Sequence, residues 1–260
     1  MIDWLESLST PAAGLVIVGG FVIVALAIGY VVATSTSREV RMAHNDRAGF
    51  ILAVIGVVYA VLLAFVAVSV WERFQQAESR TYDEAAALAT VYRDAGSFPQ
   101  RPLLRATLRV YVESIITHEW PQMYGGGHSS ISNGLLEAAD RQVRSLPVTS
   151  ARLADIHQQM LAAMDQALQD RQARLTIDSR GINGMMWVVL IAGAIVTVAF
   201  TYLFGFERTV MQQLMIGGLS LLIGLVLFLI VALDYPFRGS IRVDPEAFRS
   251  LLETFSALRT

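Results

Sequence analysis

The sequence predicts an all-α integral membrane protein with four transmembrane helices and a large extramembrane helical domain between helices two and three. Three observations carry this. Of 260 residues, 54% are hydrophobic and only 16% charged, against about 25% charged in an ordinary soluble domain. Four uncharged windows each reach the roughly 20 apolar residues that a bilayer crossing needs. Elsewhere the apolar residues recur every three or four positions, and no stretch alternates with period two.

The first window covers residues 14–33. Its leader carries Asp3 and Glu6 and no arginine, unlike the basic start of a secretory signal, so it reads as a retained span. The second covers residues 48–70, the third 185–206 and the fourth 210–233, with Gln212 and Gln213 at the mouth of the fourth. Only Glu207, Arg208 and Thr209 separate the last two, which predicts a tight helical hairpin. The chain thus divides into transmembrane helices one and two (1–70), a helical domain (71–184), a transmembrane hairpin (185–233) and a C-terminal tail (234–260).

Four spans place both termini and the large segment on one side. All 20 basic residues are arginine. On the opposite side stand only Arg38, Arg41, Arg47 and Arg208. Near the span ends, Arg73, Arg80, Arg171, Arg174, Arg180, Arg238, Arg242 and Arg249 outnumber them, which assigns the large segment and termini to the cytoplasm of a multi-pass cell-membrane protein. The first span by itself argues the other way, since its positive charges follow it.

The large segment reads as helix throughout. Phe74, Ala77, Thr81, Ala85, Leu88 and Tyr92 continue the second span without a breaker, predicting one helix from about residue 48 to about residue 94. Pro99 and Pro102 open the next helix, striped by Leu104, Leu108, Tyr111 and Ile115 and stopped at Trp120-Pro121. The Gly125-Gly126-Gly127 run is a loop. A shorter helix bears Leu135, Leu136, Ala139 and Val143. Thr149 or Ser150 caps a long one bearing Leu153, Ile156, Met160, Met164 and Ala167. In the tail, Asp244 reads as a cap and Pro245 as the first helical residue, ahead of an apolar stripe of Phe248, Leu251, Leu252, Phe255 and Leu258.

Composition excludes several chemistries. Cysteine and lysine are both absent, which removes thiolate, disulfide, Schiff-base and Walker-lysine chemistry. The formal net charge of −2 gives no field for nucleic acid. His44, His118, His128 and His157 are scattered, and His118-Glu119 lacks the second histidine of a zincin helix. Ser129 and Ser130 beside His128 lack the strand and glycines of a nucleophile elbow. No catalytic residue, metal or cofactor is expected. The four windows contain no Asp, Glu, Lys, Arg or His, which argues against a proton-coupled carrier and leaves a passive apolar pore open.

The second span carries the candidate pore face. Ile55, Tyr59, Leu62, Val66 and Ser69 recur at four and three residues, with Glu72 and Arg73 at the mouth. Tyr59 and neighbouring Phe65 carry ring edges of positive potential that suit an anion. The same face equally suits packing on Gly217, Ser220 and Gly224 of the fourth span, small residues that let helices approach closely.

Several runs resemble a known family. They are Asn45-Asp46-Arg47-Ala48-Gly49-Phe50, Tyr59-Ala60-Val61-Leu62-Leu63-Ala64-Phe65, Trp71-Glu72, and Glu78, Glu84 and Ala85-Ala86. Near the end stand Leu233-Asp234-Tyr235-Pro236-Phe237-Arg238-Gly239, Ile241-Arg242-Val243 and Phe248. Together they resemble the bacterial membrane proteins of unknown function called bestrophin-like. Asp234, Pro236, Phe237 and Gly239 form the C-terminal motif. A looser similarity reaches the true bestrophins, which implies a pentameric anion channel with the second span lining the pore. The acidic calcium cluster of that family is reduced here to Asp244 and Glu246.

The expected function is a passive, chloride-type anion channel, homo-oligomeric in the lipid bilayer, with no enzymatic activity. A reading from another class remains open: a non-conducting scaffold or sensor whose helical domain binds a partner or signal.

Overall fold

The computed structural model describes residues 10–36, 45–127, 129–205, 209–239 and 241–258. Asp3, Glu6, Arg38, Arg41, His44, His128, Phe206, Glu207 and Arg208, all used above, lie outside these, as do the side chains of Asp46 and Arg47. The described residues form helices and no strand. In chain order these are α1 (Thr10–Gly14), α2 (Gly20–Ser35), α3 (Asn45–Asp94), α4 (Arg101–Ser114), α5 (Trp120–Met123), α6 (Ser130–Arg144), α7 (Ala151–Ser179), α8 (Gly184–Thr201), α9 (Thr209–Asp234) and α10 (Glu246–Ala257).

Among the described residues, four helices are long and apolar enough to cross a membrane: Ala12–Ser35, Ala48–Ser97, Gly184–Thr201 and Thr209–Asp234. The first joins α1 and α2 through a π-helical turn, Leu15–Gly19, without leaving right-handed helical backbone at Gly14 or Gly20. The second is the membrane part of α3, which runs unbroken for 50 residues, about 75 Å at 1.5 Å per residue. The chain divides into two compact units. The membrane unit takes Met1–Glu72, Ile182–Asp234 and Gly239–Ile241; the helical unit takes Arg73–Gly181, Tyr235–Arg238 and Arg242–Thr260.

Within the membrane unit, the small residues of α9 seat the first span rather than the second. A Cβ on Gly29 would stand 2.7 Å from Ile216, so α2 and α9 approach closely. A Cβ on Gly217 would stand 3.5 Å from Leu26, and one on Gly224 would stand 3.3 Å from Val18. The expectation that this stripe receives the second span is therefore corrected. Sequence spacing marks a stripe as a contact surface without naming its partner. The second span packs on α8 instead, where a Cβ on Gly193 would stand 2.5 Å from the Tyr59 ring.

The helical unit builds one apolar core from α3, α4, α6, α7 and α10, with Leu88, Val91, Leu108, Ile115, Met160 and Phe255 all fully enclosed. Caps follow the chemistry of their residues: Ser129 accepts from the Ser132 amide and Ser150 from the Leu153 amide. Two local expectations are corrected. Trp120-Pro121 does not stop α4, because a π-helical turn, Ile115–Glu119, carries the chain into α5. Proline has no amide to lose in a first turn. At α10, Pro245 is the cap residue and the helix begins at Glu246; Asp244 instead approaches Arg242 at 3.4 Å.

Candidate functional site

The predicted pore face of α3 divides by burial within the protomer. Tyr59 and Val66 are buried, Ile55 and Leu62 are half-buried, and Phe65 and Ser69 are exposed. The Tyr59 hydroxyl donates to the Leu190 carbonyl at 3.0 Å, fixing the rotation of α3 against α8. Leu63 and Val70 share the buried side. The opposite side is an uninterrupted apolar stripe of Val54, Val58, Val61, Phe65 and Val68, each at least half exposed. These also recur at four and three residues, one position out of step with the predicted face, so the same period contains two candidate faces about 100° apart. At the predicted mouth, Glu72 is exposed, and Arg73 donates to the Arg180 carbonyl.

The motif residues act as anchors. Asn45 makes a two-way bond with Gly205: its amide nitrogen donates to the Gly205 carbonyl at 2.8 Å and its oxygen accepts from the Gly205 amide at 3.0 Å. That ties the start of α3 to the segment that follows α8. Asp234, buried at the end of α9, accepts from the Ile182 amide at 2.7 Å and so fixes the entry to α8. In the helical unit the Pro236 carbonyl accepts from the Val243 amide at 2.7 Å. Phe237 is fully buried, its ring edge-on to Trp120 at 5.6 Å. Gly239 sits at φ +68°, a conformation that disfavours any side chain.

The strongest electrostatic feature lies in the helical unit and escaped the sequence reading. Arg174 on α7 is fully enclosed. Its Nε donates to Glu84 at 2.9 Å and its Nη2 to Glu119 at 2.8 Å. Its guanidinium also lies 4.9 Å from the Trp120 ring centroid. Arg171 donates to the other Glu119 oxygen at 2.6 Å and to Asn133 at 2.9 Å. The Tyr111 hydroxyl donates to Glu84 at 2.7 Å.

Burial pushes the Glu84 carboxyl above its ordinary range, outweighing the charge of Arg174 and the bonds from Arg174 and Tyr111. Burial pushes Glu119 up as well, but Arg174 and Arg171 together outweigh it and hold that carboxyl low. Burial, then the Glu84 charge, raises the Tyr111 phenol well above its usual value. A signal for this cluster exists in the sequence. Glu84 continues the apolar stripe Ala77, Thr81 and Leu88, and Arg171 and Arg174 continue the stripe Met160, Met164 and Ala167. A charge at a core position of a helix implies a buried partner.

The remaining candidates have local roles. His118 meets the Thr117 hydroxyl at 2.8 Å and His157 the Val143 carbonyl at 2.9 Å. Among the described residues no three His, Asp or Glu side chains converge on a metal-sized site, and both cluster carboxylates are taken by arginine.

The chain matches the bestrophin-like domain over residues 19–248. No curated protein matches it. A point variant of a bacterial bestrophin homologue from Klebsiella pneumoniae is similar in structure, with a TM-score of 0.70 and 12% identity over 93% of this chain and 98% of that one. A second structure of a homologue from the same organism, solved by zinc phasing, gives 0.66 and 13% over 92% and 97%. A point variant described as a membrane protein gives 0.68 and 12% over 93% and 98%. At such identities these likenesses show the fold. The domain match covers most of the sequence, and the chain belongs to the bestrophin-like family.

Proposed function

We propose that several copies of this chain, five by the resemblance, assemble into a passive anion channel whose pore is lined by the membrane part of α3. The observation that carries this reading is the unbroken α3, whose membrane part, residues 48–70, is uncharged and bears an exposed apolar stripe, in a chain of the bestrophin-like family. An apolar tube conducts when wetted and closes by dewetting, which needs no intramembrane charge. Of the six predicted lining residues, Phe65 and Ser69 are exposed on the protomer, which supports assigning them to the lumen. Ile55 and Leu62 flank them, Tyr59 sets the helix rotation through α8, and Val66 is buried. Phe65 then offers the ring edges that an anion prefers. Glu72 and Arg73 stand at the cytoplasmic mouth in the orientation that the arginine distribution favours.

The test is current through purified protein in a planar bilayer under a chloride gradient. The expected result is a reversal potential displaced toward that of chloride, with conductance changed by Phe65→Ala. Silent bilayers containing confirmed oligomer, or a strictly monomeric preparation, overturn the proposal and move the weight to a scaffold or sensor.

A further inference from the structure

Arg101, Arg105 and Arg109 recur every four residues along α4 and line a concavity of about 380 Å³ with Tyr92 and Leu258. Like charges at that spacing cost helix stability, so three in a row need an offsetting gain. Among the described residues, local pairing does not supply it. The carboxylate bridged to this row is Glu113, half exposed and 3.8 Å from Arg109. Nearby Asp94 is bridged to Arg93 at 3.2 Å.

The row is held in shape. Tyr92 stacks on Phe255 with centroids 3.8 Å apart and planes at 11°, and its hydroxyl donates to the Phe255 carbonyl. The Arg105 guanidinium lies 4.7 Å from the Tyr92 ring centroid, and its Nε donates to the Tyr92 carbonyl at 3.0 Å. A Cβ on Gly96 would stand 2.9 Å from the Arg105 Nη2, so that glycine leaves the guanidinium its place. Arg109 is fixed by donating to the Ser256 hydroxyl at 2.9 Å. Arg101 is exposed and makes no side-chain bond among the described residues.

We propose that this concavity binds an anion with two or more negative charges on phosphoryl oxygens. Guanidinium groups present forks of donors that match phosphoryl oxygens two at a time. A monovalent halide, a single small sphere, cannot satisfy three such forks. The site is independent of the pore and of whether the chain conducts.

Inorganic pyrophosphate titrated calorimetrically into the purified full chain tests this. Saturable binding is expected, weakened by added salt because the contacts are ionic. Arg101→Gln and Arg109→Gln are each expected to weaken it by roughly tenfold. Both positions lie outside the core, so the variants should fold. Arg152→Gln, an exposed arginine on α7, serves as the charge-matched control and should leave binding unchanged. Competition by phosphatidic acid would identify a lipid headgroup as the source of the phosphoryl group, and its absence a soluble ligand; either supports the site. Absence of saturable binding, equal weakening by Arg152→Gln, or binding unaltered in the Arg101→Gln/Arg109→Gln double variant overturns it.

Discussion

Arg174 and Glu84, ninety positions apart in the sequence, meet at 2.9 Å with neither side chain exposed to solvent. A charge in that position is tolerated only while its partner stays, because the lone group would be stranded in a low-dielectric core. Arg174→Met should therefore destabilise the protein by about 3–5 kcal/mol, since it strands Glu84 and loosens Glu119 together. Combining it with Glu84→Leu and Glu119→Leu should recover much of that loss. The expected order of thermal midpoints in detergent is wild type first, the triple variant second and Arg174→Met last. An Arg174→Met midpoint equal to wild type would show that the pair contributes nothing.

The two carboxylates of the cluster should leave opposite marks on the pH dependence of stability. Glu119 has a folded pKa below the ordinary glutamate value of about 4.5. Its contribution is present above that value and lost as pH falls through the lowered folded value. Glu84 has a folded pKa above it, so its contribution is present below about 4.5 and lost as pH rises through the raised folded value. Thermal midpoints measured against pH should fall less steeply in acid for Glu119→Gln than for wild type. They should decline less above the ordinary glutamate value for Glu84→Gln. Parallel curves for all three proteins would count against both shifts.

The layers of this fold are unevenly readable in the sequence. Four spans and the long α3 are legible because a membrane helix must satisfy its backbone internally and cover itself with apolar side chains. Helix partners are less legible. The Gly217, Ser220 and Gly224 stripe announces a close contact, yet only the fold assigns that contact to Leu26 and Val18. The π-helical turn before Trp120 is not legible, because Pro121 reads as a stop until the widened turn preceding it is seen. At the site, the apolar period of α3 is visible. Which of its two faces packs on α8 is not, since both repeat at four and three; the hydrogen bond from Tyr59 to the Leu190 carbonyl decides it.

That decision makes Gly193 a sensitive position. A methyl group there would stand 2.5 Å from the Tyr59 ring, so Gly193→Ala must push α3 away from α8 or turn the ring. Overpacking of this kind costs about 1–3 kcal/mol. Tyr59→Phe removes only the hydroxyl bond, with a typical value of about 0.6 kcal/mol inside a membrane protein. Gly193→Ala should therefore lower the thermal midpoint more than Tyr59→Phe. In a Tyr59→Leu background the added methyl should cost much less, a coupling that a double-mutant cycle measures directly. Additive losses would mean that the two residues do not touch.

Gly126 and Gly239 separate backbone strain from contact. Both have positive φ, +77° and +68°, and an alanine in such a conformation costs roughly 1–2 kcal/mol. Around Gly239 an added Cβ meets nothing within 4 Å, so Gly239→Ala should show that backbone cost alone. At Gly126 the same Cβ would stand 2.5 Å from the Arg238 Nη2. That nitrogen donates to the Asp178 carbonyl at 3.0 Å, and the Arg238 Nε stands 3.5 Å from the Asp178 carboxylate. Gly126→Ala must therefore displace Arg238 as well as strain the turn, and should destabilise more than Gly239→Ala. Shortening the side chain with Arg238→Ala removes the obstacle, so the alanine at Gly126 should then cost no more than the one at Gly239. If Gly126→Ala costs the same with and without Arg238, the guanidinium is not what that glycine accommodates.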